Sequence, residues 1–417
     1  MERPLLPQTK ESVRSATQIP STTWINGVRG IASVIIALNH YLYGDFAAPW
    51  LGFGSSPENR HLHQLPFIRV IWCGHGMRPI FFIISGYYAC WSAIRSRDSS
   101  LEKMVTSLSS SAFRRGLRSY LPVFFMATLS QVVLFCGLYN WDWSETTSLK
   151  PWTSPGDHLK YLLSYLVDIT NPVYITHNPG LNLQYWVMPI EYAGSLASYM
   201  TVLALARVKP RLRPGFLAAS ILPFLYRANC FTYTFLCGVL IAELNLACAR
   251  GALRVSPLLN RILFLLGSFL ICLPDNYADT PGYSWLVGLE SLTAWGEEAP
   301  HNWRSVAGVL FVFGICNETK LQRLPNSRTP QYLAKISWEI YLVHITLYYM
   351  WMKPIRGFIM SLLERAPVGE FWMGHIVSGI LMAAIVHWFA KRLKIINGRL
   401  MTFAKRIEEW AQDTAST

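Results

Sequence analysis

The stretch WINGVRGIASVIIALNHYLYG, residues 24–44, decides how the rest of the chain is read. It is an apolar run of the length that crosses a bilayer, about 20 residues, yet it carries a cation at Arg29 and an imidazole at His40. Eleven residues make almost three turns of α-helix, so the two side chains share a face, about 16 Å apart along the axis. Ionisable groups inside an apolar span are costly and face a bundle interior or a wet cavity. Two on one face point to a long substrate laid along this helix.

Outward from that run the pattern repeats. The 417 residues are 52% hydrophobic and 15% charged, where a soluble domain carries about 25% charge. Further apolar runs cover 79–94, 119–139, 183–206, 215–226, 231–248, 262–274, 306–316, 336–351 and 371–390. The chain therefore reads as an all-α polytopic membrane bundle with about ten transmembrane helices. The stretches after the second, fourth, sixth, eighth and tenth runs are basic, and the long loops after the third and seventh are acidic. The positive-inside rule then places both termini in the cytoplasm. The net charge of +13 comes from these loops and not from one soluble patch, which argues for a lipid bilayer and against nucleic acid as partner.

Residues 1–23 read as a polar N-terminal tail, 24–393 as one membrane domain and 394–417 as a basic, polar C-terminal tail. The first 23 residues lack an apolar h-region, so no cleavable signal peptide is expected and the first span serves for targeting. The sequon at Asn317 falls on the cytoplasmic side and is expected to carry no glycan. None of the eight cysteines forms a CxxC pair, which indicates neither a metal site nor a disulfide framework. His61, His63 and His75 sit in a loop without companions at ligand spacing, so no metal is expected there.

Five short motifs follow one another in order: Arg29-x10-His40, FFIISGY at 81–87, the R-x-x-R of Arg115 and Arg118, YWVMPIE at 185–191 with Trp186 and Glu191, and Ser337-x3-Tyr341-Leu342-x-His344. Together they resemble the acyltransferase type 3 family of integral-membrane O-acyltransferases. The resemblance implies transfer of an acyl group from acyl-CoA, above all acetyl-CoA, with no tightly bound cofactor. It extends to fungal members that modify terpenoid or polyketide metabolites, implying a small hydrophobic acceptor with a hydroxyl and a place in the endoplasmic reticulum or another endomembrane. A cell-surface or lumenal glycan is the alternative acceptor, and a transporter without catalysis is the reading from a different class.

Each residue has a functional reading and a structural one. Neutral imidazole accepts a proton at physiological pH, so His40 reads as the general base that activates the acceptor hydroxyl against a thioester; otherwise it is a bonded histidine of the bundle. Glu191 either orients His40 or the hydroxyl, or pairs with an arginine. Arg29, Arg115 and Arg118, with Arg114 beside them, grip the phosphates of coenzyme A in bidentate fashion or anchor the membrane surface. Arg29 is then the phosphate end and His40 the thioester end. Arg95 and Arg97 read as anchors. Ser85 and Gly86 allow close helix packing, Trp186 forms a pocket wall or interface anchor, and Ser337, Tyr341 and His344 line the cavity or pack its core. His177 is placed at the lumenal mouth.

Overall fold

The computed structural model describes residues 21–42, 50–97, 100–140, 147–173, 180–363 and 370–413, and all regular structure among them is helical. In chain order the main helices are α1 (Thr23–Leu42), α2 (Gly74–Arg97), α3 (Leu101–Phe135), α4 (Pro155–Thr170), α5 (Val187–Ala204), α6 (Arg213–Tyr226) and α7 (Cys230–Ala249). They are followed by α8 (Pro257–Ile271), α9 (Ala299–Cys316), α10 (Arg328–Ala334), α11 (Ser337–Leu347), α12 (Lys353–Leu363) and α13 (Glu370–Asp413). Every apolar run of the sequence overlaps one of these. Among the described residues three helices are long and apolar enough to cross a membrane: α3, α7 and the Met373–Ala411 part of α13.

Three stretches fold differently from their reading as loops or tails. Of the basic stretch 95–118, residues 95–97 are the end of α2 and 101–118 the first half of α3. Ser100 caps α3 by accepting from the Lys103 backbone N–H, and the following Leu, Glu, Lys, Met and Arg residues are good helix formers whatever their polarity. The acidic loop 140–182 contains α4, capped by Ser154 with Pro155 at its first position. It buries His158, Leu162, Tyr165 and Ile169, a stripe at helical spacing. The basic tail continues α13, because Ala390, Leu393, Asn397, Ala404 and Glu408 keep one face buried to its end.

The core divides in two, and α1 belongs to both parts. On one side Trp24, Ile25 and Val28 pack with α2, α7 and α9. On the other Ala37, Tyr41 and Leu42 pack with α3, α11 and α13. Close crossings hold the first part together: a Cβ at Gly86 would overlap the Phe235 carbonyl, and one at Gly238 would overlap that of Ile83. Small residues at both contacts let α2 and α7 approach backbone to backbone. The seam between the two parts is where the cavity lies.

Candidate active site

Arg29, Ile36 and His40 form one stripe of α1, spaced by seven and four residues, and all three line a cavity of about 530 Å³. That volume is within the range of small-molecule sites. The other walls come from α2, α3, α5, α11 and the turn before α5, and they include Ser85, Arg115, Trp186, Glu191, Ser337 and Tyr341. The arginine and histidine of the opening motif thus share one chamber.

At the histidine end a chain of hydrogen bonds fixes the tautomers. His344 Nδ1 lies 2.9 Å from the Ile340 carbonyl oxygen and 3.0 Å from that of Tyr341. Carbonyl oxygens only accept, so this nitrogen carries a proton and donates. In the neutral ring Nε2 is then bare, and it stands 2.9 Å from His40 Nδ1. His40 Nδ1 must therefore donate to it, which leaves His40 Nε2 with its lone pair and no hydrogen-bond partner among the described residues. The two rings are nearly parallel, 10° between their planes with centroids 5.2 Å apart, as a bond in the ring planes requires. His344 is buried and His40 half-buried at the cavity wall, so the pair orients a base without sealing it.

The opposite end is built on a carboxylate. Glu191, early in α5, accepts from Arg115 of α3 at 2.5 Å and from the Ser85 hydroxyl of α2 at 3.2 Å. The sequence left Glu191 open between orienting His40 and pairing with an arginine; the structure gives it the arginine. The partner that orients His40 is His344. Arg29 donates to the Ala334 carbonyl at 3.2 Å. The Nε atoms of both Arg29 and Arg115 are buried with no bonding partner among the described residues.

The remaining residues separate cleanly. Ser337 donates to the Ala334 carbonyl, and Tyr341 donates to that of Gln184. Gln184 in return donates to the carbonyls of Tyr341 and Leu342, which staples α11 to the turn before α5. Arg114 pairs instead with Glu408 of α13 at 3.5 Å, and Arg118 is exposed; neither lines the cavity. Arg97, read as a surface anchor, is buried in an ion pair with Glu243 of α7, because the helical end of α2 carries it inward. His61 and His63 stack on one another outside the cavity, and His177 lies outside the described residues.

Two cavity residues went unread. His75, assigned to a loop, sits in the first turn of α2, and Arg78 one turn later places its guanidinium 5.6 Å from the centre of the Trp186 ring, a cation–π distance. The available signal was a cation at the wrong end: Arg78 begins an apolar run whose basic flank lies at the other end.

Comparison with known proteins agrees with the motifs. A profile described as an acyltransferase domain matches residues 22–391. The O-acetyltransferase PaAT-1 of Phomopsis amygdali is 24% identical over 406 residues, covering 82% of this chain and 75% of that protein. Acyltransferase R4 of a Phoma species is 21% identical over 447 residues, 89% of this chain and 94% of the relative. Acyltransferase clz18 of Cochliobolus lunatus is 23% identical over 395 residues, with coverage of 79% and 83%. No solved structure matches the chain significantly.

Proposed function

This chain belongs to that acyltransferase family, and we propose that it is a multi-pass membrane O-acetyltransferase acting on a small hydrophobic secondary metabolite with acetyl-CoA as donor. The observation that carries the reading is the directed chain of hydrogen bonds from the Ile340 carbonyl through His344 to His40, which ends on a free Nε2 at the cavity wall. Relatives named as an O-acetyltransferase and as acyltransferases support the transferred group.

In this reading His40 Nε2 removes the proton of the acceptor hydroxyl while its oxygen attacks the thioester carbonyl. The tetrahedral oxyanion then collapses, the carbon–sulfur bond breaks, and the leaving thiolate takes the proton back from Nε2. The products are an ester and coenzyme A. Through both steps the Nδ1–H bond to His344 persists, holding the ring and spreading the charge of the transient imidazolium. Arg29, about 16 Å along the same stripe, takes the phosphate end of the donor with the exposed Arg118 beyond the cavity. Its unpartnered Nε and that of Arg115 are donors in search of acceptors. Because Glu191 already neutralises Arg115, this arginine positions more than it attracts.

Ten crossings with both termini in the cytoplasm, in the endoplasmic reticulum or another endomembrane, would bring the donor to the Arg29 end. The test is a membrane preparation given labelled acetyl-CoA, wild type beside His40→Ala, with organic-extractable and glycan fractions counted separately. Label in an organic-extractable product, reduced at least about 10²-fold in the variant, is the expected result. Label confined to glycan would move the acceptor to a sugar, and equal label in both proteins would remove His40 as base.

A further inference from the structure

A second cavity, of about 820 Å³, adjoins the first at the end of the bundle where α2 and α9 begin and α6 turns into α7. His75, Arg78, Phe82 and Trp186 line both chambers, so they share a wall. Three guanidinium groups face the second one: Arg78, Arg227 of the α6–α7 turn, and Arg304 of α9. The imidazoles of His75 and His301 add to them, and Glu298 is the one carboxylate among its described lining residues.

Pairing does not cancel this charge. Arg304 is bound to Asp275 at 2.7 Å. Arg78 and Arg227 have no carboxylate at ion-pair distance among the described residues; Arg78 lies against the face of Trp186, with Asp275 near enough to act on its charge. For the half-buried Arg78, lining a partly enclosed cavity without a bonded acceptor, an anion would offset a desolvation cost that the exposed Arg227 does not bear. Arginine forks of this kind suit carboxylate and phosphate oxygens, and a concave wall with an excess of cations concentrates such ions. Phe231 and Ile190 supply an apolar side, so the chamber fits an organic anion better than a bare ion.

We propose that this second cavity is an acceptor subsite for a carboxylate or phosphate group, so that the acceptor of the reaction above carries an anion held here and a hydroxyl that reaches the first cavity past Trp186. The proposal rests on the acetyl-transfer reading for the word acceptor, and on the cavity alone for the anion. The donor's phosphates are not the intended occupant, since Arg29 and Arg115 line the first cavity only.

The full chain, purified in detergent, is titrated at constant ionic strength with benzoate, phenyl phosphate and the neutral benzamide, with thermal stability as the readout. Saturable stabilisation by benzoate or phenyl phosphate and not by benzamide is expected; which of the two binds more tightly identifies the anion. Arg227→Gln, an exposed position, is expected to weaken the anion about tenfold while coenzyme A affinity stays unchanged. Arg78→Gln, which lies on the wall shared by both chambers, is expected to weaken the anion as well, and only its anion affinity is read. Equal binding of benzamide and benzoate, or unchanged affinity in both variants, would overturn the proposal. Competition between coenzyme A and the probe would also overturn it, by assigning the chamber to the donor. None of these readouts needs turnover, so failure of the acetyl-transfer reading leaves the anion result standing, and the reverse.

Discussion

Two carboxylate–guanidinium pairs in this bundle have the same N···O separation, 2.5 Å, and different surroundings. Arg97–Glu243 ties α2 to α7 with side chains 1% and 9% exposed. Arg115–Glu191 ties α3 to α5 with side chains 25% and 16% exposed, and it forms part of the cavity wall with Ser85 bonded to the same carboxylate. As ion pairs they are alike. What separates them is access: the first meets only protein, so its charges act on the fold, while the second meets whatever enters the cavity. A buried charge pair between packed apolar helices is therefore not a functional site in itself. Its contact with open volume makes it one.

The largest break in the comparison is expected from Glu243→Ala. It takes the Glu243 carboxylate away from the buried Arg97 guanidinium, which costs roughly 3–5 kcal/mol, read as a fall in thermal stability and in folded yield. Acetyl transfer per folded molecule should be unchanged, and a loss of it would erase the distinction between the pairs. Glu191→Gln should behave in the opposite way. Stability falls by less, on the order of 1–2 kcal/mol, while KM for acetyl-CoA or kcat shifts about tenfold, because Arg115 is freed within the cavity. If only stability moved, Glu191 would be a second Glu243. The smallest effect belongs to the outer pair: Arg114→Ala, which breaks a contact whose arginine is 40% exposed, should cost under about 1 kcal/mol and leave the kinetics alone.

Much of this site was legible in the sequence, for a physical reason. An ionisable side chain in an apolar run has few places to go, and Arg29, His40, Ser85, Trp186, Glu191, Ser337 and Tyr341 all reach the same chamber. What the sequence could not supply was partnership. His344 carries the same signal as His40, a histidine in an apolar helix, but their contact joins residues 304 positions apart. Glu191 left two partners open for the same reason. The basic half of α3 was hidden by a confusion of solvent preference with backbone preference: RRGLR reads as polar, and it is also helical. Arg78 and His75 were lost at a boundary, since α2 begins five residues before the apolar run that marked it.

The central claim is that His344 acts through His40 by fixing its tautomer, and a double-mutant cycle tests it most directly. Labelled acetyl transfer would be measured for wild type, His40→Ala, His344→Ala and the double variant, each normalised to folded protein. The account predicts a loss of roughly 10²-fold for His344→Ala alone and none beyond His40→Ala in the double variant, because the orienting group has nothing left to orient. Independent, multiplying losses, or full activity in His344→Ala, would contradict it.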